Sequence, residues 1–200
     1  SVTGTKGVGG LVGVSIGPIN NSSATGAVNG TSQVGGLIGV NNGTVRESNA
    51  TGSVDGSDRV GGLVGRNVDG SVEQSHATSS VTGSENVGGL IGSNRVDATV
   101  DTSYATGSVD GANRVGGLVG WAFDGMVNES YATGDVNGTD RVGGLVGRVA
   151  GGTGSGTVRN SYATGDINGT DRVGGLVGEV DSDSGSGTVR ESYAVGIVNG

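Results

Sequence analysis

The chain has no cysteine, and among its 200 residues one proline, one phenylalanine, one tryptophan, one histidine (His76) and one lysine (Lys6). Without cysteine there is neither a disulfide nor thiol chemistry, although a large stacked fold needs no staples and the absence is silent on compartment. Six aromatic residues in all leave little bulk for a wide core. A single histidine gives general-base or nucleophilic catalysis almost nothing to work with. No apolar run approaches the roughly 20 residues that cross a bilayer, and Ser1-Val2-Thr3 does not open a signal peptide. Nor is there an excess of positive charge. The formal net charge of −8 disfavours nucleic acid and anionic membranes, both polyanions, as partners. Acidity with almost no lysine fits a salt-loving source or an ordinary acidic secreted protein.

What the chain has in quantity is glycine, 46 residues, and the glycines recur in register. The hexapeptide Val-Gly-Gly-Leu-Val-Gly, with only Val/Ile exchange, begins at Val8, Val34, Val60, Val87, Val115, Val142 and Val173. The spacings are 26, 26, 27, 28, 27 and 31 residues, so the chain is one tandem array over residues 1–200. Fixed glycine positions and strictly recurring Val and Leu argue against the disorder that a glycine-rich, aromatic-poor composition otherwise suggests. The array stops at Gly200, where a further hexapeptide is due, and is therefore read as a segment of a longer protein or as a processed mature chain.

Each hexapeptide is followed by a variable polar corner, a Thr-Val or similar step, Ser-Tyr-Ala-Thr-Gly, and an Asn-Gly or Asp-Gly step. With Gly117-Leu118-Val119-Gly120 at its centre, this repeat resembles the GLUG motif along essentially the whole chain. Departures are Ser23, Asn49 and His76 at the Tyr position and Ser79 at the last Gly. The resemblance implies a repeat module of large cell-surface and secreted proteins, including adhesins and some immunoglobulin-A-cleaving proteases, in which the module is not the catalytic part.

Helix is excluded by glycine every few residues, each costing roughly 1 kcal/mol against alanine. Alternation in Ser48 to Val54 puts Ser48, Ala50, Gly52 and Val54 on one face. That set recurs almost unchanged in every repeat while the opposite set wanders, so it faces inward. In the hexapeptide a bend at the glycine pair turns both Val60 and Leu63 inward. A third segment carries Val45, Val72, Val100, Val127, Val158 and Val189, three residues ahead of the Ser, an odd offset that implies a corner. The expectation is an all-β parallel β-solenoid (β-helix) of about seven coils, with three short strands and three corners in roughly 27 residues per coil. At about 4.8 Å per coil the rod is on the order of 34 Å long. Asn-Gly and Asp-Gly steps read as tight turns with positive φ. The inner Ser needs the neighbouring coil's Ser or a corner carbonyl as partner.

Few residues suggest chemistry. Asp58, Asp140 and Asp171 each precede an Arg, so acids and arginines stack as neighbouring columns that balance charge. Asp181 and Asp183 alternate like the start of a calcium loop but lack the Gly and Glu that complete one; no cofactor is expected. Glycosylation sequons occur at Asn20, Asn21, Asn29, Asn42, Asn49, Asn128, Asn137 and Asn168. Tyr104, Tyr131, Tyr162 and Tyr193 fall in one outward column, flanked by Thr106, Thr133 and Thr164. This column is a contact strip for sugar rings or a partner surface, or a ladder that stabilises the sheet.

These features suggest a non-catalytic extracellular or cell-surface segment, a rigid spacer or surface-binding rod whose partner is a glycan or a host or neighbouring cell. Two alternatives differ in class. A self-assembling filament or viral fibre subunit would stack end to end through its terminal coils. A β-helix enzyme acting on polysaccharide would need basic and carboxylate groups clustered on one face.

Overall fold

In the computed structural model, which describes residues 1–181 and 185–200, the chain winds into a parallel β-solenoid of seven turns. Among the described residues there is no helix. Each coil repeats the strands seen at Asp58–Gly61, Val64–Val68, Ser71–Glu73, His76–Ala77 and Val81–Thr82, which we number first to fifth. Each strand pairs in parallel with the same strand of the coils before and after, Val60 with Val34 and Val87, for example. Five continuous sheets result, four of seven strands and a fifth of eight, to which Val2–Thr3 adds a strand.

The coil therefore has five short strands where three were expected. Two of the expected segments are each broken in two. The hexapeptide breaks at its glycine pair, and the Ser-Tyr-Ala-Thr-Gly segment breaks at Thr51-Gly52-Ser53, between Asn49–Ala50 and Val54–Asp55. The glycine break has a steric cause. A Cβ on Gly116 would lie 2.1 Å from the Val119 carbonyl oxygen, and one on Gly117 2.2 Å from that of Gly144. Gly120 would meet the backbone of Asn86 and Val87 at 2.6 Å. The first and second sheets thus pack backbone against backbone, an approach closed to any residue with a side chain.

The expected bend does turn Val60 and Leu63 inward, but into different cores. The first hexapeptide Val packs with the fifth-strand column of Val28, Val54, Val81, Val109, Val136 and Ile167. Leu63 and Val64 pack with the Val72 and Ala77 columns in a second, larger cluster. Between the two lies a neck where the second glycine meets the inner Ala; a Cβ on Gly62 would sit 2.9 Å from the Ala77 Cβ. Narrow lobes filled by Val, Leu and Ala explain how the array dispenses with aromatics, since each lobe is only one or two side chains deep.

Positive φ does not occur where it was expected. The expected steps, Asn29-Gly30, Asp55-Gly56, Asp110-Gly111, Asn137-Gly138, Asn168-Gly169 and Asn199-Gly200, are ordinary ends of the fifth strands, and Gly56 is there for space, its Cβ position being 2.9 Å from methyls of Val34 and Val60. The left-handed non-glycine residues are instead Arg59 (φ 53°) with its equivalents Gln33, Asn86, Arg114, Arg141 and Arg172, Glu47 (φ 51°) with its own column, and Asp69, Val96, Asp97 and Asp124 in the corner between the second and third strands. The Glu47 column is the corner implied by the three-residue offset between Val45 and Ser48.

Two polar ladders run inside. Ser48 Oγ donates to the Arg46 carbonyl at 2.8 Å, while the Ser48 N–H donates to Ser75 Oγ at 3.1 Å. The same pair of bonds repeats up the column through Ser75, Ser103, Ser130 and Ser161, which satisfies the buried hydroxyls as the sequence required. The second ladder went unnoticed in the sequence. Asn41, Asn67 and Asn94 are fully buried in the second sheet, with Asn41 Nδ2 donating to Asn67 Oδ1 (2.8 Å) and Asn67 Nδ2 to Asn94 Oδ1 (2.9 Å). Each amide also donates to a corner carbonyl, Gly43, Gly70 or Ala98. Asparagine ladders suit in-register parallel stacking because every amide finds a copy of itself one coil away.

Candidate functional site

Interior positions are committed to packing, so chemistry has to come from the outer faces. On the fourth sheet His76, Tyr104, Tyr131, Tyr162 and Tyr193 form one stack. Successive ring centroids are 4.7, 4.9, 5.0 and 5.3 Å apart, with planes within 7°. The stack follows from register, since Tyr104 pairs directly with His76 and Tyr131. His76 belongs to it as a fifth ring rather than standing as a bare surface substitution. Because the ring faces are turned to one another along the rod, the column presents outward a row of ring edges and hydroxyls. Burial of Tyr131 in the stack, and then the neighbouring Tyr104 and Tyr162, raise its pKa, so its phenol stays protonated. Thr106, Thr133 and Thr164 flank the row and are exposed.

The acid and arginine columns lie on the first sheet, and arginines reach acids of the preceding coil as well as their neighbours. Arg59 is 3.1 Å from Asp58, Arg114 is 3.9 Å from Glu85, and Arg172 is 2.8 Å from Asp140 and 3.1 Å from Asp171. In the last two coils the network spreads to the second sheet. Arg141 pairs with Asp140 and, at 2.6 Å, with Glu179; Arg148 pairs with Glu179 and Asp181. The columns of acids and arginines foreseen in the sequence thus grow into a cluster on one face, and its extension to Arg148, Glu179 and Asp181 was not foreseen, because those partners lie 31 to 38 residues apart across an insertion. Every acid in the cluster is held by an arginine, as charge balance requires.

Asp181 belongs to this network through Arg148, and Asp183 lies outside the described residues. Among the described residues no three His, Cys, Asp or Glu side chains converge as metal ligands. Of the sequons, Asn20, Asn21, Asn29, Asn42, Asn137 and Asn168 are exposed and Asn49 is half-buried. Asn128 is buried, its Nδ2 held 2.6 Å from Asp101 Oδ1, so that sequon is occluded.

One cluster escaped sequence reasoning. Trp121, the only tryptophan, follows the hexapeptide at a position that is Val40, Arg66, Ser93, Arg148 and Glu179 in other coils. Two arginines from different sheets converge on its ring, Arg95 at 4.7 Å and Arg114 at 5.1 Å from the centroid. The position wanders in type from coil to coil, and for that reason looked like noise in the sequence.

With in-register ladders of Gly-Gly-Leu-hydrophobic-Gly and Ser-x-Ala established, comparison with known families is decisive for the repeat. A model described as "The GLUG motif" matches residues 56–82, 111–137 and 138–168. The chain carries GLUG repeats. The three matches start at the Gly that closes one fifth strand and end in the next, so one GLUG repeat is one full coil of the solenoid. No curated protein and no solved structure matches the chain.

Proposed function

We propose that this GLUG array is a non-catalytic segment of an extracellular or cell-surface protein, a rigid rod that holds other parts at a distance and offers its side walls to a glycan or cell surface. The observation that carries this reading is the continuity of the five sheets. All run unbroken through seven coils, so bending the rod at any level would break hydrogen bonds in several sheets at once. The side walls present no free strand edge. Exposed large apolar residues concentrate in the first and last coils, Leu11, Val14 and Ile16 at one end and Tyr193, Val195 and Ile197 at the other. Those surfaces are what a further coil, of this chain or of a second copy, would cover. The filament reading rests on them.

The Tyr column separates the two halves of the proposal. With Tyr131 and Tyr162 both changed to Thr, three ring contacts disappear, together worth about 1 to 3 kcal/mol as cross-strand pairs. The expected outcome is a lowered melting temperature with unchanged attachment of the displayed protein to cells or glycans. Lost attachment on an equally stable rod would instead make the tyrosines the contact surface.

A further inference from the structure

Although the chain is acidic, seven of its ten arginines, Arg59, Arg66, Arg95, Arg114, Arg141, Arg148 and Arg172, stand on the outer side of the first two sheets. Toward the C-terminus they are neutralised, as described above. In the middle coils they are not. Among the described residues Arg66 and Arg95 take part in no salt bridge, and Arg114 has only a loose one to Glu85. Burial, and after it the charges of Arg66 and Arg59, lower the pKa of Arg95, while the charge of Asp124 offsets them in part. Asp124 is itself engaged, its Oδ1 accepting the N–H groups of Gly152 (2.7 Å) and Gly154 (3.1 Å).

A second observation falls on the same spot. Among the described residues the buried side-chain polar atoms without a hydrogen-bond partner are Arg66 Nε, Asn86 Oδ1, Ser93 Oγ, Arg95 Nε, Arg114 Nε, Trp121 Nε1 and Arg148 Nε. All belong to this face, whereas the Ser and Asn ladders elsewhere are fully paired. (Arg148 Nε is 2.9 Å from Glu179 Oε2, an ion pair without hydrogen-bond alignment.) Unpaired buried donors cost about 1–3 kcal/mol each, which a fold otherwise so well satisfied would not gather in one place without a compensating role. Beside them opens a shallow, mostly apolar cleft of about 470 Å³, lined by Val96, Phe123, Asp124, Gly152 and Thr153. Arg95 lies 5.3 Å above the Phe123 ring, at the margin of this cleft.

We propose that this face binds an acidic saccharide, its carboxylate or sulfate taken by the Arg66 and Arg95 guanidinium groups and its ring lying in the cleft against Phe123. Guanidinium forks match planar and tetrahedral oxyanions, and an aromatic wall beside them suits a ligand with one apolar face. A long nucleic acid would run beyond the patch along a chain whose formal net charge is −8, which disfavours it, whereas a short acidic saccharide can be held by the arginines of the patch alone. An extended acidic peptide finds no strand edge to pair with, since the side wall of a solenoid has none. This inference deepens the surface-binding half of the function proposed above and rests on it.

Trp121 makes the test direct, because it is the only tryptophan and sits in the patch. The 200-residue chain is titrated with oligogalacturonate, with a sulfated heparin oligosaccharide, with neutral maltohexaose and with single-stranded DNA, following Trp121 emission. A saturable change is expected with at least one acidic saccharide and none with the neutral one, and the acidic arm that responds identifies carboxylate or sulfate. Arg66→Gln/Arg95→Gln should weaken that binding at least tenfold with an unchanged melting curve. Absence of a saturable response to both acidic saccharides, equal binding by the double variant, or equally tight binding of DNA overturns the proposal. So does a concentration-dependent dimer in sedimentation velocity that the double variant abolishes, which would assign the face to a second copy. If saccharide binding is absent but the displayed protein still attaches to cells, this inference fails while the surface-rod reading stands.

Discussion

Leu118→Asp is expected to abolish the cooperative unfolding transition of the whole array, whereas Thr106→Asp leaves it nearly unchanged. Leu118 is fully buried, and its carbonyl accepts the N–H groups of both Leu90 (2.9 Å) and Ile91 (3.0 Å). Replacing it removes apolar contact worth about 2–5 kcal/mol. It also places a carboxylate in a cluster of Leu, Ile, Val and Ala side chains, at a cost of several kcal/mol more. In a stacked array that loss propagates, because each coil is held chiefly by its neighbours and Leu118 sits in the fifth of seven. Thr106 is exposed on the fourth sheet, and a surface change there should stay within about 0.5 kcal/mol. Circular-dichroism melting of the two variants decides the matter; equal effects would sink the assignment of inside and outside.

Gly117→Ala should be nearly as damaging, for a different reason. The added methyl would lie 2.2 Å from the Gly144 carbonyl oxygen and 3.0 Å from the Ala132 Cβ, in the neck between the two lobes. The obstacle is backbone, which cannot swing aside as a flexible side chain would, so the coils must part at that level. Overpacking costs typically about 1–3 kcal/mol, and contact with backbone puts this case at the upper end. Gly17→Ala is the control, since nothing lies within 4 Å of its Cβ position. There the change should be neutral or stabilising by about 0.4–1 kcal/mol through the unfolded chain. Urea midpoints of the two variants are expected to move in a markedly unequal way, and equal shifts would show that the glycine pair is not a packing requirement.

Much of this architecture could be read before the structure, because a repeat array shows its inside by repetition. The Ser-x-Ala-x-Gly-x-Val face, the inward turn at Gly61-Gly62, the corner ahead of Ser48 and the coil length all follow from comparing one repeat with the next. The number of strands did not follow. A bend sharp enough to end one strand and start another looks, in sequence, like two glycines inside a single strand. The left-handed positions were misplaced because Asn-Gly suggests a turn, whereas the solenoid puts Arg59 and Glu47 there and uses Gly56 to admit the methyls of Val34 and Val60. The Asn41–Asn67–Asn94 ladder was hidden since its column continues as Ala122 and Val149. The Arg95–Trp121–Arg114 cluster was hidden for the opposite reason. It joins three different columns, one of which varies in residue type from coil to coil, and only the coil geometry shows that residues from neighbouring coils meet there.

The central claim is that each repeat advances the chain by one coil along a straight axis. Spin-label distances test it most directly, since the chain has no cysteine and labels attach only where one is introduced. Thr25, Thr51, Thr133 and Thr164 are exposed and occupy equivalent positions in the first, second, fifth and sixth repeats. Labels at Thr51→Cys/Thr133→Cys, Thr51→Cys/Thr164→Cys and Thr25→Cys/Thr164→Cys span three, four and five coils. Electron–electron double resonance should give distances rising by about 4.8 Å per coil, near 14, 19 and 24 Å. Distances that do not rise by one coil spacing per repeat, or that spread broadly as in an unstacked chain, would contradict the solenoid.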